Sequence, residues 1–154
     1  MTEILNGLTR RQVMVGAGAG LMAVALMPAG ALATPELVAE EIKKLFGGKT
    51  PKEGKVKLDV PSIAENGLVV PLNFEVESPM TANDYVKAVH IWADGNPSPG
   101  IATFRFTPMA PKAAAQIRIR LAKTQNIVAV AEMSNGDLYT AKKEVKVTIG
   151  GCGG

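Results

Sequence analysis

The one cysteine of this chain, Cys152, sits third from the end in Gly150-Gly151-Cys152-Gly153-Gly154. A thiolate forms S–S bonds with sulfur species and is regenerated when those bonds are cut. Glycines on both sides leave the sulfur unshielded and give it a tether, Gly150, Gly151, Gly153 and Gly154, with a reach of roughly 10 Å for two extended residues. Nothing titratable lies within the tail, so no base or cation beside Cys152 activates it, as one would in a catalytic thiol. Five such residues give a thiol nothing to pack against, so a buried apolar filler does not fit. A prenylation site needs the cysteine fourth from the end. What fits is a carrier arm, which needs an attachment atom, a tether and a body that other proteins recognise. An intermolecular disulfide through Cys152 is the competing reading.

The rest of the sequence is poor in catalytic constellations. His90 is the single histidine, within Val89-His90-Ile91-Trp92, where a hydrogen-bonded strand histidine fits better than a general base. There is no Cys-x-x-Cys, His-Glu-x-x-His or phosphate loop, so neither a metal nor a cofactor is expected on this chain. Outside the leader only Met80, Met109 and Met133 remain, scattered as core filler would be. Arg105, Arg118 and Arg120 alternate with apolar residues and are expected to share one solvated sheet face, or less readily a surface for an acidic partner.

The first 33 residues read as an address. Thr9-Arg10-Arg11-Gln12-Val13-Met14 places twin arginines ahead of a short Gly/Ala-rich apolar run, and Ala31-Leu32-Ala33 supplies a small-x-small cleavage pattern. Residues 1–33 are therefore expected to be a twin-arginine signal peptide, cleaved before Thr34, which sends the protein to the periplasm with no stable membrane anchor. The remaining chain holds 15 basic and 13 acidic side chains, net +2. That balance, with no basic run interleaved with aromatics, gives no sign of nucleic-acid binding. In an oxidising compartment a lone cysteine cannot bridge within its own chain, so it is a reactive thiol or pairs with another molecule.

Two elements must carry the arm. Thr34 to Gly48 predicts a helix: Thr34 caps it, Pro35 and Glu36 suit its first turn, Lys43 and Lys44 its last, and Gly47 ends it. Leu37, Val38, Ile42, Leu45 and Phe46 form its apolar stripe. Residues 34–54 are thus a helix and a Lys/Gly/Pro linker. Residues 55–149 then alternate as strands do, over Lys55–Val60, Val70–Val76, Tyr85–Ala93, Ala102–Phe106, Ile117–Leu121, Ile127–Ala131 and Leu138–Ile149, the last with a break expected near Lys142-Lys143. Asn66-Gly67 marks a tight turn and Ser134-Asn135-Gly136-Asp137 a hairpin. About seven strands with frequent turns predict an antiparallel β-sandwich, ending in the arm at residues 150–154.

Val89-His90-Ile91-Trp92-Ala93-Asp94-Gly95-Asn96-Pro97, Ala102-Thr103-Phe104-Arg105-Phe106, Ile117 to Gln125, Val128 to Ser134 and the terminal Gly-Gly-Cys-Gly-Gly together resemble the SoxY family of sulfur carriers, across the whole chain after the leader. The resemblance implies an immunoglobulin-like fold and a second small sandwich protein, SoxZ, as partner. It implies that Cys152 is conjugated to thiosulfate by a c-type cytochrome complex, SoxAX. A thiosulfohydrolase, SoxB, then releases sulfate, and in some organisms a sulfur dehydrogenase, SoxCD, oxidises the remaining sulfur. Haems and metals would belong to those partners, and this chain would be a carrier without catalysis of its own. Two other classes stay open: a periplasmic interaction module that dimerises through Cys152, and a thiol-disulfide enzyme, against which the missing second cysteine argues.

Overall fold

The computed structural model describes residues 32–151. Its one described helix, α1 (Pro35–Leu45), forms for the reasons visible in its sequence. Thr34 is extended and its side chain accepts from the Leu37 N–H at 3.3 Å, Pro35 opens the first turn, and Lys43 and Lys44 lie in the last. Gly47 and Gly48 end it at φ +61° and +83°, angles that side chains strain to adopt.

Nine strands follow among the described residues: β1 (Lys52–Glu53), β2 (Val56–Asp59), β3 (Ile63–Asn66), β4 (Val70–Val76), β5 (Val86–Ala93), β6 (Gly100–Arg105), β7 (Ala113–Ile119), β8 (Gln125–Met133) and β9 (Leu138–Ile149). They make two sheets. The larger runs β1-β9-β8-β5-β6 with β3 also on β9, and the smaller runs β2-β4-β7. Leu72 and Phe74 of β4 meet Val89 and Ile91 of β5 and Ile127 and Ala129 of β8 in the core between them. The predicted β-sandwich with an N-terminal helix is therefore what forms.

β4 alternates buried and outward residues along its length, as a strand with one face on the core must. β5 is buried on both faces because α1 lies on its outer side. There Val38, with Ile42 and Phe46, packs on Trp92, Val130 and Leu138. The indole N–H of Trp92 donates to Glu41 at 2.9 Å and fixes the helix laterally. The apolar stripe thus docks on its own domain, yet not across its full width: Leu37 and Leu45 remain exposed.

The expected hairpin at Ser134–Asp137 joins β8 to β9, with Gly136 at φ +85° and the Met133 N–H bonded to the Asp137 carbonyl at 2.9 Å. β9 is continuous over 12 residues, so the break expected near Lys142-Lys143 does not occur. Both lysines stay in register, opposite Val128 and Ile127 of β8, and their side chains point to solvent. The three arginines do not share a face. Arg105 ends β6 in the larger sheet, Arg118 lies on β7 in the smaller, and Arg120 follows β7. Equal in-out phase along two strands says nothing about which sheet each joins. The turn at Asn66-Gly67 exists, but it is no hairpin. It leads from β3, parallel to β9, across to β4 in the other sheet.

Candidate functional site

Cys152, Gly153 and Gly154 lie outside the described residues, as do the twin arginines and residues 1–31. The site is therefore built from what holds the chain up to Gly151. β9 pairs with β8 as far as Val145, and its last residues pair in parallel with β3, Lys146 against Ile63 and Ile149 against Asn66. The strand then enters a ring of three backbone hydrogen bonds. The Gly67 N–H donates to the Ile149 carbonyl at 2.7 Å, the Leu121 N–H to the Gly67 carbonyl at 2.8 Å, and the Gly151 N–H to the Leu121 carbonyl at 2.8 Å.

Glycine is required in this ring for space. None of Gly67, Gly150 and Gly151 has a positive φ. A Cβ on Gly150 would overlap the Ala122 carbonyl oxygen, one on Gly151 the Gly67 carbonyl and the Leu68 nitrogen, and one on Gly67 the Leu121 carbonyl oxygen. Gly150 and Gly151, expected to belong wholly to the tether, are thus packed backbone against backbone at its root. Leu68, Val69 and Ile149 flank that root and are 47%, 59% and 65% exposed, an apolar rim.

The 120–125 segment that receives the root is itself held from within. Asn96 is buried, and its Nδ2 donates to the Arg120 carbonyl at 2.8 Å while its Oδ1 accepts from the Ala122 N–H at 2.9 Å. The same oxygen accepts from Gln125 Nε2 at 2.8 Å, which also donates to the Lys123 carbonyl at 3.0 Å. Gln125 Oε1 accepts from the Gly95 N–H at 2.8 Å. Buried amides so fully paired hold the loop without leaving a polar group unsatisfied. Asp94 completes the turn by accepting from the Asn126 backbone and side-chain nitrogens, both at 2.8 Å.

His90 lies elsewhere, between β5 and α1. It stacks on Trp92, meets Phe46 edge-on, and has its Nδ1 3.1 Å from Thr103 Oγ1. Burial lowers its pKa below the usual 6.5; the Glu132 carboxylate opposes that shift and Arg105 adds to it. This is the bonded strand histidine expected. A shallow groove lined by Glu41, Lys44, His90, Trp92, Thr103 and Arg105 runs beside it. Among the described residues no three His, Cys, Asp or Glu side chains converge as a metal site would need, and no helix is long and apolar enough to cross a membrane. The polar network behind the root was not foreseen. The signal for it was present, since Asn96 and Gln125 both fall within the segments that carry the family resemblance.

The sequence profile of the sulfur oxidation protein SoxY matches residues 42–152 and so reaches the cysteine. Among solved structures the chain is similar to the sulfur carrier protein SoxY from Chlorobium limicola f thiosulfatophilum, with 34% identity over 73% of this chain and 96% of that one and a TM-score of 0.60. It is similar to a superoxide reductase (neelaredoxin) from Ignicoccus hospitalis at 17% identity, over 75% of this chain and 94% of that one, TM-score 0.56. A superoxide reductase from Nanoarchaeum equitans follows at 15%, over 62% and 99%, TM-score 0.51. At those identities the last two share a fold with this chain and nothing about function follows. No curated protein matches it.

Proposed function

Since the chain belongs to the SoxY family of sulfur oxidation proteins, we propose that it carries sulfur intermediates covalently on Cys152 and offers them in turn to partner enzymes. The observation that supports this most is the reach of the family match, residues 42–152, which ends on the one cysteine of the chain.

The chemistry is written from the thiolate outward. Cys152 S⁻ and the outer sulfur of thiosulfate form an S–S bond with loss of two electrons, which a c-type cytochrome partner of the SoxAX kind accepts. The product is Cys–S–S–SO₃⁻. Water then attacks the sulfonate sulfur in a SoxB-like hydrolase, the S–SO₃ bond breaks, and sulfate and two protons leave behind Cys–S–S⁻. Where a SoxCD-like dehydrogenase exists, it oxidises the outer sulfur of Cys–S–S⁻ with three waters to Cys–S–SO₃⁻, passing six electrons to its own acceptor and releasing six protons. A second hydrolysis in the SoxB-like enzyme then frees sulfate and two protons and regenerates the thiolate. Cys152 contributes the attachment atom, and the enzymes contribute redox centre, base and metal. A SoxZ-like sandwich protein is the proposed stable partner and the periplasm the proposed compartment, reached by the twin-arginine route. The apolar rim of Leu68, Val69 and Ile149 suits a surface that a partner covers while the thiol is inside it.

Intact-mass measurement of protein isolated from its native host tests the reading, paired with thiosulfate-dependent electron transfer in a reconstituted system. A sulfur adduct on the wild type, absent from Cys152→Ser together with all turnover, is expected. A protein found only as a Cys152-linked dimer, with turnover unaffected by Cys152→Ser, would refute it.

A further inference from the structure

We propose that the arm does not hang freely from β9 but leaves the sandwich through a backbone socket, and that Asn96 is the positioning residue that sets the socket. The proposal deepens the carrier reading above and rests on it for its functional meaning.

Three observations carry it. The first is the closed ring Ile149–Gly67–Leu121–Gly151, in which the carbonyl of each segment accepts from the N–H of the next. A chain end that needed only freedom would have no reason to return a hydrogen bond to a loop some thirty residues earlier. The second is the type of close approach. At Gly67, Gly150 and Gly151 a Cβ would meet backbone atoms, which cannot swing aside as a side-chain tip can. Glycine at the first two positions of the arm thus permits docking. The third is that the receiving carbonyls, Leu121 and Ala122, belong to a loop fixed by one buried amide. Asn96 holds the Arg120 carbonyl and the Ala122 N–H at the same time, one on each side of Leu121. Gln125 supports Asn96 and does not touch the arm.

The mechanical consequence concerns where the tether pivots. With Gly151 held, the Cα of Cys152 follows within about 3.8 Å of a fixed point, the length of one peptide unit. The tether then starts from a held point beside Leu68 and Ile149, and a partner that takes up the thiol meets that rim as well. Enzymes that process the adduct would need to admit the root of the arm.

The experiment uses the cysteine as the label site, since it is the only one in the chain. A nitroxide on Cys152 reports local motion without any partner. The wild type is expected to give a restrained spectrum. Gly151→Ala and Asn96→Ala are expected to release it, with melting still cooperative. In parallel, the Gly151 amide of the unlabelled wild type is expected to exchange at least about tenfold more slowly than in an unstructured peptide, as an amide in a hydrogen bond does. Equal nitroxide mobility in wild type and Gly151→Ala would overturn the proposal, as would a Gly151 amide that exchanges at the free rate. If either variant fails to fold, the exchange measurement decides alone. Neither readout depends on sulfur chemistry. Loss of the carrier reading would show instead as unchanged thiosulfate turnover in Cys152→Ser.

Discussion

No hydrogen bond joins Asn96 to Gly151, yet a single peptide segment links them: the Asn96 side chain holds Arg120 and Ala122, and the Leu121 carbonyl between them accepts from the Gly151 N–H at 2.8 Å. A buried amide in the loop after β5 thereby reaches the residue before the cysteine. The strand supplies direction and the loop supplies the stop.

Cys152 lies beyond this root, so Cys152→Ser is expected to change stability by less than about 0.5 kcal/mol, the range of exposed sites without special contacts. Thermal melting checks this. A drop of many degrees would mean that the thiol itself is docked.

Proline separates the root from the tip. Gly151→Pro removes the N–H that reaches Leu121 and sets a ring carbon against the Gly67 carbonyl, so it should cost at least the roughly 1 kcal/mol of that lost bond. Gly153→Pro should leave melting unchanged. Both should slow loading of Cys152 by the partner enzymes while alkylation by a small reagent proceeds normally. Loading of the Gly150→Pro/Gly151→Pro variant at the wild-type rate would sink the arm mechanism.

The pH dependence of stability should carry a histidine signature. His90 has a folded-state pKa below 6.5, chiefly through burial. The unfolded chain therefore takes up its proton first as pH falls. Stability should decline from about pH 7 downward and level off once pH passes the lower folded value. Melting temperatures of wild type and His90→Gln between about pH 8 and 5 should converge at the acid end relative to the neutral end. Parallel curves would show that His90 does not titrate differently in the two states.

Much of the fold was legible because side chains announce it. Thr34, Pro35 and Gly47 bound a helix by local chemistry, and Asn135-Gly136 marks a hairpin by backbone angle. β4 could be read from alternation alone. β3 could not, since only Ala64 of its four residues points inward. β1 is too short for any pattern. The support of the proposed site was illegible. Gly150 and Gly151 look the same in a sequence whether they are free or pressed against a carbonyl. Asn96 in the loop after β5 and Gln125 at the start of β8 each sit among other polar residues, and only tertiary pairing reveals their use.

Export gives a further prediction. Replacing Arg10 and Arg11 by lysine should trap the precursor inside the cell, and normal export would count against the twin-arginine route. The cleavage point is also testable. A cut before Thr34 would remove Ala33, which is 3% exposed and donates its N–H to the Asn96 carbonyl at 2.9 Å. A cut after Ala29-Gly30-Ala31 would keep it. Cleavage before Thr34 remains the expectation, and intact mass tells the two apart.

The parallel pairing of β3 with β9 has a consequence for the order of assembly. Ile63 and Lys146 are partners across most of the chain, and contacts so distant in sequence are the slow ones to close. The ring around Gly151 needs the end of β3, the loop after β7 and the end of β9 together, so it closes only once these distant segments have met. A chain caught with its sheets half formed would own a thiol but no fixed place to present it. The socket thus doubles as a mark of maturity, one that an enzyme gripping the root would read before it ever touched the sulfur.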